Sequence, residues 1–207
     1  MTHSTSADHT TPDPAAVLYL ATWLPSELHS QFSAWCDGHH RDQLSIPGIL
    51  RARRFEYVDG TLDEPPQFLT MYEVTSLNLF QSPAYLDHRA AASQLPQFLA
   101  GKLRVTRRDC TIDAALPSEW WPPFRTEILD EFYLNNDELD DEFRRQGATG
   151  VAGLTRDMVL RVLSNSSDDS FVLFDHNEAQ SSFIDTIARV TGATRSHWRC
   201  VFDELAT

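Results

Sequence analysis

The chain carries one order of elements twice, strand–helix–strand–strand–helix–strand, and two such units have few ways to bury their apolar faces. The first copy opens with Ala16 to Trp23 (AVLYLATW), an apolar run of strand formers ended by Pro25. Ser26 is placed to cap a helix with Leu28, Phe32 and Trp35 along one face. Ser45-Ile46-Pro47-Gly48 breaks that helix. Ile49 to Tyr57 then reads as a strand closed by Asp59-Gly60, and Phe68 to Val74 as another after Pro65-Pro66. A helical stretch from Pro83 to Leu99 and a strand from Leu103 to Ile112 complete the unit. In the second copy the strands are Thr126 to Leu134, Thr155 to Leu163, Phe171 to His176 and Ser196 to Leu205. Its helices are Asp137 to Gln146 and Ser181 to Val190.

Landmarks recur in register. Glu27-Leu28 and Phe32 match Glu138-Leu139 and Phe143, Gly48 matches Gly153, and Phe68 matches Phe171, as a duplication predicts. The organisation expected is a disordered polar tail over 1–15, a first repeat over 16–115, a linker over 116–125 and a degenerate second repeat over 126–207. The linker carries the Trp120-Trp121 pair, expected to staple it to the outside of the fold. The repeats differ in one informative place. The first keeps a polar stretch, Asp37-Gly38-His39-His40-Arg41-Asp42-Gln43-Leu44, that the second lacks.

Charge narrows the partners. With 30 Asp and Glu against 17 Lys and Arg, the formal net charge is −13, which opposes binding to nucleic acid or an anionic membrane surface. No apolar run is long enough to span a bilayer, and the N-terminus lacks the basic start and apolar core of a secretion signal. Cys36, Cys110 and Cys200 show neither disulfide nor zinc spacing, so a cytoplasmic setting is expected, with Cys36 a small core residue.

Phe32, Trp35, His40, Leu44, Pro47-Gly48, Ala52, Arg54-Phe55 and then Phe68-Leu69 and Tyr72-Glu73 form a pattern that resembles the dimeric α/β-barrel superfamily, closest to its EthD-like branch. The match covers about residues 16 to 112; the second half agrees only in element order. The resemblance implies an α+β chain of two ferredoxin-like β-α-β-β-α-β repeats, forming within one chain the barrel that relatives build from two. It therefore implies a monomer, or at most a weak homodimer. The superfamily includes cofactor-free monooxygenases, lactone isomerases, polyketide cyclases and dehydratases, and haem enzymes, so fold alone leaves the chemistry open.

Two constellations carry candidate chemistry. His39, His40 and Asp42 place imidazoles beside a carboxylate, suited to acid–base work, and the resemblance favours His40 as the residue at the barrel mouth. The alternative is a solvated helix end whose histidines complement the helix dipole. Arg51, Arg53, Arg54, Tyr57, Tyr72 and Glu73 lie on two neighbouring strands. Arg54 and Arg51 suit an anionic substrate group, Trp35 and Tyr57 are further substrate-binding candidates, and Tyr72 suits donation to a developing enolate. A cross-strand Arg–Glu pair on the rim explains the same residues. Arg104, Arg107 and Arg108 read as a charged edge that discourages strand pairing. Asp130, inside a central strand of the second half, must be paired or face a cavity, and is expected as that half's polar contributor to substrate binding. No ligand spacing supports a metal site from Asp130, Asp175 and His176, and His88, His176 and His197 read as structural.

The activity implied is a cofactor-independent enzyme of cyclase, dehydratase, isomerase or monooxygenase type. Its substrate is a small aromatic or polyketide-like molecule, and the His40 region acts as acid and base. A haem-binding barrel enzyme and a non-catalytic small-molecule binding protein are the alternatives, the latter motivated by the decayed second half.

Overall fold

The computed structural model describes residues 15–91, 95–112, 128–133, 159–164, 170–176 and 194–206. Eight strands and two helices follow in order: β1 (Ala16–Trp23), α1 (His29–Leu44), β2 (Ile49–Gly60), β3 (Phe68–Val74), α2 (Pro83–Ala91), β4 (Arg104–Ile112), β5 (Ile128–Tyr133), β6 (Val159–Ser164), β7 (Ser170–His176) and β8 (Thr194–Leu205). The linker with Trp120 and Trp121, both expected second-half helices and Gly153 lie outside the described residues.

Three local readings change. Ser26 caps nothing: it opens a single 3-10 turn, Ser26–Leu28, that leads into α1 with no side-chain cap bond. The stretch from Pro83 to Leu99 is described as α2 and a separate 3-10 turn, Gln97–Leu99, because Pro96 has no N–H to give a continuous helix. Strand β2 runs past Tyr57 to Gly60, since pairing with β8 continues to Gly60↔Ser196.

The strands close into a barrel in the order β1-β3-β2-β8-β5-β7-β6-β4. Within each half the order reads fourth, first, third, second, the ferredoxin-like arrangement, and every neighbouring pair is antiparallel. The seams between halves are unequal. The β2–β8 seam runs from Arg51↔Leu205 to Gly60↔Ser196, whereas β4 meets β6 only at Thr111↔Ser164 and Ile112↔Leu163. The arginine-bearing part of β4 pairs, among the described strands, with β1 alone.

Side chains alternate across a strand, so each strand of a closed barrel has an inner and an outer row. Val17, Tyr19, Ala21, Phe55, Leu69, Met71, Cys110, Leu129 and Trp198 come from six strands of both halves yet form one buried cluster, which marks the inner row. The same row carries partnered polar groups: Arg53 reaches Glu73 at 2.6 Å, Arg51 grips both oxygens of Asp203 at 2.7 and 2.6 Å, and the Tyr19 hydroxyl donates to Glu131 at 2.7 Å. The outer row of β1 and β3 supplies Leu18, Tyr72 and Val74, which pack with Ala52, Ile46, Phe80, Tyr85 and Phe202. Beside them Phe32 and Cys36 of α1 bury Phe68 and Leu99. Every residue of β3 is therefore buried, one face in the barrel and the other under the helical layer.

Candidate functional site

Helix α1 turns Phe32, Cys36, His40 and Gln43 inward, a spacing of four, four and three residues that keeps one face on the sheet. This face sets His40 against the outer row. Its Nδ1 lies 2.6 Å from the Tyr72 hydroxyl, and Phe202 packs its ring 5.0 Å away. His40 is 2 % exposed and Tyr72 3 %, and Nε2 of His40 has no hydrogen-bond partner. Burial opposes a charged imidazole, and the positive Arg54 adds to that, so the His40 pKa is pushed down to about 3. Burial also raises the Tyr72 phenol well above its ordinary value. The pair is a neutral imidazole bonded to a neutral phenol, so His40 is no solvated helix-end histidine and does not titrate near pH 7.

Arg54 completes this site. Its guanidinium lies 2.8 Å from Asp37, donates to the Ser33 carbonyl at 3.3 Å and sits over the Phe68 ring. Cys36, between these residues on the helix, is a buried thiol pushed up to about 12 by burial, and so is inert as a nucleophile. His39 is half-buried and stacks on Trp35 with centroids 5.0 Å apart. Its pKa is lowered, chiefly by burial.

The remaining sequence candidates lie elsewhere. Asp42 is exposed on the last turn of α1. Arg51 and Tyr57 are on the inner row, Arg51 held by Asp203 and Tyr57 edge-on to Trp198 at 5.4 Å. The Arg53–Glu73 pair is cross-strand as expected but buried inside the barrel, not on its rim. Asp130 points outward from β5 in the second half, on the face opposite Leu129 and Glu131, where it meets Arg195 and His197. In the β5–β7 register Asp130 is opposite Phe174 and Asp175 opposite Leu129, so the two carboxylate positions do not face each other.

A cleft of about 710 Å³ begins where α1 ends, lined by Arg41, Leu44 and the Ser45–Leu50 turn on one side and Thr75, Glu204 and Leu205 on the other. Arg41 grips Glu204 at 2.8 Å and rests over Phe202, the ring that covers His40. Gly48 shapes the turn with φ +98°, a conformation only glycine adopts readily, and an added Cβ would sit 3.0 Å from Thr75 Oγ1. Phe202, Asp203 and Glu204 were not singled out from sequence. The available signal was the adjacent acidic pair Asp203-Glu204 directly after the apolar Cys200-Val201-Phe202.

No protein-family model matches the chain, and no curated protein is similar to it in sequence. By fold it is similar to an anthrone oxidase-like protein (TM-score 0.57, 13 % identity, 95 % of this chain and 94 % of that one). It is also similar to a candidate monooxygenase from Fusobacterium nucleatum (TM-score 0.51, 13 % identity, 93 % and 95 %). A third is a DypB variant from Rhodococcus jostii in complex with haem (TM-score 0.52, 8 % identity, 92 % and 94 %). At these identities the likeness is one of fold. The shared architecture is a closed antiparallel barrel of two ferredoxin-like strand sets, its eight described strands in a single chain.

Proposed function

We propose that the chain is a cofactor-independent enzyme, of the monooxygenase or enolising type, for a small and largely apolar aromatic or polyketide-like molecule. The observation that carries this reading is the buried His40–Tyr72 hydrogen bond with Arg54 beside it. With the phenol donating to Nδ1, the ring proton sits on Nε2, which then offers a neutral donor to a substrate oxygen. Arg54 lends positive potential as that oxygen becomes an enolate or phenolate. His40 is thus read as a donor that stabilises developing charge rather than as the base. A base with so low a pKa holds no proton at neutral pH and gains one only at high cost. The cleft beside Phe202 is of small-molecule size, and the substrate reaches the dyad by displacing that ring. The names of two fold neighbours, a candidate monooxygenase and an anthrone oxidase-like protein, support the oxygen-consuming version. In it a methylene carbon becomes a carbonyl, one atom of dioxygen entering the product and the other leaving as water.

The same proposal takes the halves as copies of one ferredoxin-like unit, the first related to the EthD-like branch, in a chain whose barrel needs no partner copy. Haem fits poorly: among the described residues no His, Cys, Met or Tyr lines the cleft. The test is oxygen uptake and quinone formation with anthrone and hydroxynaphthalenes. His40→Ala and Tyr72→Phe should each lower kcat by about 100-fold, the usual loss on removing one charge-stabilising donor. Turnover that persists unchanged in both variants would exclude the dyad, and absence of any turnover or binding across the substrate set would exclude the class.

A further inference from the structure

The second half holds a cluster that the proposed chemistry does not use. Asp130 on β5 is fully buried, and its Oδ1 takes two partners from β8: Arg195 Nε at 2.7 Å and His197 Nδ1 at 2.9 Å. The three share the outer row, since Leu129, Glu131 and Trp198 occupy the inner one. The side chains of Arg195 and His197 are each 17 % exposed, so the cluster is buried at its carboxylate and reachable at its cations. Its position is enforced by backbone. Thr61 N donates to the Arg195 carbonyl at 2.9 Å and Arg195 N to Thr61 Oγ1 at 3.1 Å. The β2–β8 register slips between Tyr57 and Asp59, which brings Asp59 opposite His197. Such bulges re-aim side chains and recur beside functional sites.

With Nδ1 of His197 occupied by a buried carboxylate, Nε2 is the one ring atom left to exchange a proton with a ligand. This is the geometry in which a positioned imidazole serves as acid and base. Arg195, whose Nη2 lies 3.3 Å from Nδ1 of the same ring, adds positive charge beside the imidazole whatever its own remaining contacts. We infer that Asp130, His197 and Arg195 form a second, proton-exchanging site in the second half, built for a small molecule with a weakly acidic hydroxyl, a phenol or an enol, bound as its oxyanion. His197 is the catalytic residue there and Asp130 its positioning residue.

The electrostatics agree. The His197 pKa is raised, first by its hydrogen bond to Asp130, against the opposing effect of burial. Asp130 faces the ring from β5, Asp59 from β2 and Arg195 from its own strand, the first two raising the pKa and the last lowering it. His197 therefore holds its proton more tightly than an ordinary imidazole, whereas His40 holds one less tightly.

The experiment uses the full chain and para-nitrophenol, whose phenolate is coloured. The imidazole resonance lost in His197→Gln identifies His197 by NMR. It should titrate above the ordinary 6.5, fall in Asp130→Asn, and move when para-nitrophenol binds. The bound probe should be more ionised than the free probe at the same pH. His197→Gln and Arg195→Gln should each weaken binding by about tenfold or more, as expected when one member of a charge cluster is removed. If Asp130→Asn does not fold, those two exposed-side variants carry the test alone. A His197 resonance that ignores the probe, or equal binding by both variants, overturns the inference. The His197 resonance reports this site alone and oxygen uptake with anthrone reports the His40–Tyr72 dyad, so the two outcomes are separable.

Discussion

His40 bears a proton in the unfolded chain below pH 6.5 and bears one in the folded chain only below about pH 3. The folded value is depressed, so between these limits the unfolded state binds the extra proton and stability rises with pH, by about 1.4 kcal/mol per unit for a single group. Stability from this residue is complete above pH 6.5 and is lost as pH falls towards 3. Chemical denaturation of the wild type and His40→Gln across that window should show a shallower pH dependence in the variant; parallel curves would mean that His40 is hydrated in the native state. His197 has the opposite sign, its raised folded pKa giving stability below 6.5 that is lost as pH rises through the folded value. Tyr72→Phe removes the hydroxyl and leaves Nδ1 of His40 buried without its partner. A loss of about 1–3 kcal/mol follows, the usual penalty for an orphaned polar group, to be read from the denaturation midpoint.

At the scale of elements, Gly60 has the least room for a side chain of the described glycines. Its φ is +153°, and a Cβ there would stand 2.4 Å from the Arg195 carbonyl oxygen. Gly60→Ala must therefore push β8 away from β2, lowering the melting temperature and shifting the His197 resonance with it. A variant with both unchanged would show the seam to be pliable. The ends of β1 and β3 were legible in the sequence to the residue, because apolar runs bounded by proline punctuate themselves. The burial of His40 was not. The string from Asp37 to Leu44 is polar at most positions, and a polar helix end reads as solvated unless the sheet beneath is known to offer Tyr72 and Phe202. Nor was the role of β8 legible: His197 looks like any lone histidine until pairing with β5 sets it opposite Asp130. Strand content is local, whereas which strands adjoin is decided by contacts far apart in sequence.

The barrel as a whole depends on both halves for its interior. Tyr19 of the first half bonds Glu131 of the second, Arg51 bonds Asp203, and Leu129 and Trp198 fill space against Phe55, Leu69 and Met71. Asp203→Ala removes the two-point carboxylate contact of Arg51, whose side chain is only 10 % exposed. The expected loss is about 3 kcal/mol, in line with breaking one side of a buried pair. The same dependence predicts the behaviour of residues 1–115 expressed alone. That fragment would keep α1 on the outer face of its sheet while exposing Val17, Tyr19, Phe55, Leu69 and Met71 on the other. It would also leave the whole of β2 as an open edge where β8 pairs in the full chain. An uncovered apolar face and an unpaired edge are both templates for association. Sedimentation should find the fragment dimeric or aggregated while the full chain stays smaller in assembly number. A fragment that remains monomeric at high concentration, with cooperative unfolding of its own, would mean that the first half does not need the second to close its core.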